Sequence, residues 1–155
     1  NEKYASVLQC DESLINGFES VFPIASAQYS ELPDSGYFYG EVHICELNDG
    51  STQEEAISFL SGFTEAVANA DYSDTSYHLG NYFNVDESGG FLWANFTNSE
   101  ESMSKANTSF EASVRETMFP IFSTFASCGE VPDLYHGFTL YNADDKDFMP
   151  TFPSN

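Results

Sequence analysis

The sequence predicts an α+β fold, a ferredoxin-like βαββαβ sandwich with two helices on one face of an antiparallel sheet. Three observations lead there. Tyr37 to Tyr141 reads strand, helix, strand, strand, helix, strand, two βαβ units in succession. Ala56, Phe59, Leu60, Phe63 and Val67 form one apolar stripe at helical spacing. Asp86-Glu87-Ser88-Gly89-Gly90 joins two strand-like runs as a hairpin connection, its glycines free to take positive φ.

Taken in order, Tyr4 to Leu8 suits a short strand, and Leu14, Phe18, Val21 and Phe22 fall at helical spacing up to Pro23. Leu32-Pro33-Asp34-Ser35-Gly36 is a turn. Tyr37 to Leu47 alternates as a strand, and Asn48-Asp49-Gly50 ends it. Ser51-Thr52-Gln53-Glu54 reads as a capping box opening the Ala56–Val67 helix, which runs to about Ala70. Asp71 to Ser76 is a polar loop; Tyr77 to Val85 and Phe91 to Phe96 are strands. Asn98 or Ser99 caps a second helix with Glu100 and Glu101 in its first turn, and Pro120 is expected to kink it. After Val131-Pro132-Asp133 comes a last strand, Leu134 to Tyr141.

Glu19-Ser20-Val21-Phe22-Pro23-Ile24-Ala25-Ser26 resembles Glu116-Thr117-Met118-Phe119-Pro120-Ile121-Phe122-Ser123, and a Pro-Asp turn follows each. That match predicts an N-terminal β-α extension of residues 1–36 resembling a half-repeat, a ferredoxin-like domain of residues 37–141 and an acidic tail of residues 142–155.

Composition bounds the function. The chain has 155 residues, 41% of them hydrophobic and 16% aromatic, enough for one domain with a real core and too apolar for disorder. A net charge of −21, from 25 acidic and 4 basic side chains, argues against nucleic acid and against anionic membrane surfaces as partners. It suits a salty medium, marine or halophilic, where screening weakens self-repulsion; a cationic partner or divalent ions are the sharper alternatives. No apolar run is long enough to span a bilayer. No signal peptide is visible in Asn1-Glu2-Lys3-Tyr4, the sequons at Asn95 and Asn107 are close to chance in an Asn- and Ser-rich chain, and the compartment stays open with a lean to extracytoplasmic or secreted. Cys10, Cys45 and Cys128 fit either one bridge with a free thiol or three buried thiols.

In a βαββαβ sheet the face away from the helices is free for a partner or ligand. Alternation places Phe38, Val42, Ile44, Leu79, Phe83, Val85, Leu92, Ala94, Phe96, Leu134, Phe138 and Leu140 under the helices. Tyr39, Glu41, His43, Cys45, His78, Tyr82, Asn84, Phe91, Trp93, Asn95, Tyr135, Thr139 and Tyr141 fall on the open face. This element order and face pattern resembles the dimeric α/β-barrel proteins of the antibiotic-biosynthesis-monooxygenase and stress-responsive type. The resemblance implies two sheets packed face to face around a cavity, hence a homodimer.

The expected function is binding of a small apolar or aromatic molecule on the open face by Tyr39, His43, Tyr82, Trp93, Asn95 and Tyr141, with no metal and no cofactor. The first alternative is a cofactor-independent monooxygenase-like enzyme using His43 or His78 with Trp93 and Asn95, Glu41 orienting His43. The second is a structural or assembly subunit of an extracellular particle. Asp71-x-x-Asp74 and the Asn142–Asp147 stretch lack EF-hand spacing and read as solvated loops. Cys45 has no basic neighbour in sequence to favour a thiolate, and phosphate loops, nucleophile elbows and CxxC pairs are absent from the sequence.

Overall fold

The computed structural model describes residues 18–24, 36–84 and 89–138 and the single positions 147 and 149; of Phe22 only the backbone is described. The strand expected at Tyr4–Leu8, the end of the last strand with Tyr141, and nearly all of the tail therefore lie outside the described residues.

The elements are β1 (Phe18–Ile24), β2 (Tyr37–Leu47), α1 (Gln53–Ala68), β3 (His78–Asn84), β4 (Gly90–Thr97), α2 (Glu100–Ser109), a π-helical turn (Phe110–Val114), α3 (Arg115–Phe125), β5 (Ala126–Cys128) and β6 (Asp133–Phe138). The strands form one six-stranded sheet in the order β1-β3-β4-β2-β5, with β6 also on β2, and every pair is antiparallel. The protein is thus α+β, a sheet with helices on one face, compatible with a ferredoxin-like sandwich.

Strand β1 corrects the helix expected through Phe22. Phe18, Val21 and Phe22 satisfy helical spacing over too few residues to separate the two periods. Pro23 is accommodated because β1 lies at the sheet edge and its register with β3 breaks between Val21 and Ile24. The similar segment around Pro120 lies in α3, so the sequence match is not a repeat of structure. The capping box of α1 is one residue later than expected. Extended Thr52 is the N-cap; the Glu55 N–H donates to Thr52 Oγ1 at 3.3 Å, and the Thr52 N–H to Glu55 Oε2 at 2.7 Å. Ser99 caps α2, accepting from the Ser102 N–H at 3.1 Å. The second helical arm is interrupted at the π turn, where the Arg115 N–H reaches back to the Phe110 carbonyl, and not at Pro120, which sits exposed within α3.

Cross-strand register decides which residues face the helices. Leu79 and Phe83 of β3 point inward as expected, fully or almost fully buried. Asn81 lies between them, pairs with Trp93, and Trp93 pairs with His43, so all three share the inner face. Strands β2 and β4 therefore take the parity opposite to the expected one: Tyr39, Glu41, His43, Cys45, Phe91, Trp93 and Asn95 lie beneath the helices. Phe38, Val42, Ile44, Leu92, Ala94 and Phe96 lie on the other face, where Ile44 is 62% exposed. Alternation favours the uniformly apolar set, but the inner set mixes Glu41, His43 and Asn95 with the larger Tyr39, Phe91 and Trp93, so polarity alone points to the wrong face. The choice falls to bulk and bonding. Trp93 packs against Phe59 and Phe63 of α1 and Phe122 of α3, with ring centroids at 6.3, 5.0 and 5.7 Å. Cys45 is wholly buried and bridged to Cys128, its directly opposed partner on β5, which selects one bridge among the pairings left open; Cys10 lies outside the described residues. On β6, Leu134 shares the inner face through its pairing with Glu41 but is exposed at the sheet margin, which corrects its assignment to the core.

On the outer face, aromatic rings lie over glycines. Phe38 covers Gly137, its cross-strand partner, and Phe96 covers Gly40, its own.

Candidate functional site

A cleft of about 900 Å³ opens between the inner face of β2 and β4 and the helical arm running from α2 to α3. Its floor is a quadrilateral of two adjacent cross-strand pairs, Glu41 opposite Asn95 and His43 opposite Trp93. Alternation forces this grouping: residues two apart on each strand share a face, and register sets them side by side. Phe59 and Phe63 from α1, Tyr72 and Tyr77 from the loop entering β3, and Phe110 and Phe122 from the helical arm form the walls. The break between β5 and β6, Gly129 to Pro132, borders one end.

Asn95 is the polar centre. Its Oδ1 accepts from the Tyr77 hydroxyl at 2.8 Å and from Trp93 Nε1 at 3.1 Å. Two donors on one oxygen fix which way the amide is turned, and Nδ2 has no partner among the described residues. His43 Nδ1 lies 3.2 Å from the Gly129 carbonyl oxygen. A carbonyl only accepts, so this nitrogen carries the proton, and in the neutral ring Nε2 is the acceptor. Glu41 takes a hydrogen bond from Asn107 Nδ2 on Oε2 at 3.0 Å. Arg115 is held by Glu111 one turn away at 2.8 Å and lies over the Phe119 ring. A shallower depression of roughly 690 Å³ adjoins the cleft and shares Glu41, Asn107 and Glu111 with it; Tyr39 and Glu100 complete its acidic side. Burial, then the carboxylates of Glu41 and Glu100, raise the Tyr39 hydroxyl above its ordinary pKa.

Compared with protein-family models, curated proteins and solved structures, the chain matches none.

Of the residues expected to form a site, Glu41, His43, Trp93 and Asn95 come together, beneath the helices and not on the open face. Tyr39 shares their face but borders the adjoining depression. Tyr82 pairs with Leu92 on the opposite face, and His78 stacks there on Phe96 at 5.0 Å. His78 Nδ1 is buried with no hydrogen-bond partner among the described residues, and burial pushes the ring's pKa down to about 4, against a smaller opposing effect of the Ser76 backbone. Tyr141 lies outside the described residues. The aromatic walls were not anticipated, because Phe59, Phe63 and Phe122 on helical stripes read as core. Tyr72 stood in a stretch that reads as a polar loop, yet it is buried against Tyr77 with ring centroids 5.0 Å apart. The available signal was the phenylalanines set among smaller residues on both helical stripes, Phe59 and Phe63 on one and Phe110 and Phe122 on the other.

Among the described residues, no group of three His, Cys, Asp or Glu side chains is placed to hold a metal ion, and no helix is long and apolar enough to cross a membrane. The Asp71 carboxylate is turned onto its own loop, accepting from the Ser73 hydroxyl at 2.5 Å and the Ser73 N–H at 3.3 Å.

Proposed function

We propose that this chain is a ferredoxin-like module that binds a small molecule with an apolar or aromatic body in the cleft beneath its helices. The fold assignment is supported by the strand order β6-β2-β4-β3 around the two helical crossovers, with β1 added at the far edge. The observation that carries the binding function is the doubly engaged Asn95 in an aromatic-walled cavity. There a fixed amide offers donors to a ligand while Trp93 and its neighbours supply contact area. The Cys45–Cys128 bridge supports an oxidising, extracytoplasmic setting. The resemblance to dimeric α/β-barrels makes a homodimer through the outer sheet face part of the proposal. A native mass spectrum reads its copy number.

The test is titration with benzyl alcohol followed by NMR. Expected are shifts of the Trp93 indole N–H and the Asn95 side-chain amide. Shifts confined to His78, Phe96 and Ile44 would move the site to the outer face and defeat the proposal.

A second function, a cofactor-independent monooxygenase-like enzyme, is favoured by His43, whose Nδ1 contact leaves Nε2 as a base. Under it an acidic, electron-rich substrate surrenders a proton to His43 and then reduces dioxygen itself. Turnover that survives His43→Gln would dismiss it.

A further inference from the structure

We propose that the ligand of the cleft is an organic ammonium ion; this rests on the binding function above and names its chemical class. Three features converge. First, the polar side of the site is acidic: Glu41, Glu111 and Glu130 line the cleft against a single guanidinium, Arg115, which is already bonded to Glu111. Second, the adjoining depression is bordered by Glu41, Glu100 and Glu111 and, among the described residues, by no basic side chain, so the positive end of a ligand can lie there while its body stays in the cleft. Third, the body of the ligand meets rings: Phe63 and Phe122 stand almost perpendicular to the Trp93 indole, at 88° and 83°, a corner that holds an apolar or aromatic body while the charged end lies among the glutamates.

Glu41 is the residue that selects. It borders both spaces, and while Asn107 donates to Oε2, Oε1 accepts from nothing among the described residues. A protonated amine is a donor with no acceptor to offer, which complements a free carboxylate oxygen. A carboxylate or phosphate ligand would meet three glutamates with one committed arginine, so anions are excluded on the same geometry.

A chain of net charge −21 draws every cation toward its surface, so the test must separate the local carboxylate from the overall field. The protein has one tryptophan, Trp93, and it lies in the cleft, so indole emission reports this site alone. The probes are 2-phenylethylammonium and 2-phenylethanol, similar in shape and different in charge, titrated in about 0.15 M salt to screen the distant field. Expected is binding of the ammonium about tenfold or more tighter than the alcohol. Glu41→Gln, which keeps an oxygen for Asn107, should abolish that difference. Glu65→Gln, which removes the same charge from the exposed side of α1 outside the cleft, should leave it intact. Equal binding of both probes, or equal loss in the two variants, overturns the ammonium assignment and leaves the cleft as a neutral site. Failure of both probes to change the emission overturns the binding function as well.

Discussion

Breaking the Cys45–Cys128 bridge should cost this protein a large part of its stability, by an amount that follows from chain length. The bridge closes a loop with a sequence separation of 83 residues. A loop of that size, released in the unfolded chain, restores about 15 cal/mol/K of entropy, about 4.5 kcal/mol at 25 °C. Against a typical domain stability of roughly 5–15 kcal/mol, that loss leaves the fold near its limit. The assay is urea unfolding of a Cys10→Ser background, oxidised and reduced, beside the same background carrying Cys45→Ala and Cys128→Ala. Removing Cys10 prevents exchange with the third thiol. Reduction keeps both sulfur atoms, Cys45 in the core and Cys128 half-buried against it, so the reduced protein reads loop closure and the alanine pair adds lost packing. The urea m-value should rise on reduction, because a chain without the bridge exposes more surface when it unfolds. A loss below about 1 kcal/mol with an unchanged m-value would refute the reasoning, showing that the unfolded chain is confined by something other than the bridge.

Two further outcomes follow from the outer face. A Cβ at Gly137 would fall inside the Phe38 ring, so Gly137→Ala should destabilise by about 1–3 kcal/mol in thermal or urea unfolding, with Phe38→Leu restoring part of the loss. His78 has a folded pKa of about 4 against an ordinary 6.5, so the unfolded chain binds its proton first as the pH falls. Its contribution is complete above about pH 6.5 and is lost as the pH drops toward 4, by up to about 3 kcal/mol, and His78→Phe should flatten the stability profile between about pH 7 and pH 5.

The order β2, α1, β3, β4, helical arm, β6 was legible because α1 combines a clean apolar stripe with a cap and the β3–β4 connection is rich in glycine; β5 was not, being three residues that follow the helix directly. The faces were not. Choosing between Trp93 and Leu92, or Cys45 and Ile44, needs the register that links them to Leu79, and that information spans three strands. Glu41, His43, Trp93 and Asn95 stay side by side because a shared strand parity survives an inversion of β2 and β4, whereas Tyr82 and His78, on β3, separate from them. The aromatic walls arise from helices docking over that set. The π turn, which follows no local residue signal here, brings Phe110, Glu111 and Arg115 to the cleft.

The two flanks of the described sheet are both unsuited to templating another strand. On one side β1 carries a proline and a register break; on the other, the chain along β2 is divided into β5 and β6 by the Gly129–Pro132 excursion. A flat row of unpaired backbone groups, the usual seed of ribbon-like aggregation, is absent from both. A second copy docking on this sheet would meet side chains and not a free backbone ladder, and substitution of exposed residues such as Ile44 and Tyr135 would alter that surface without touching the ladder.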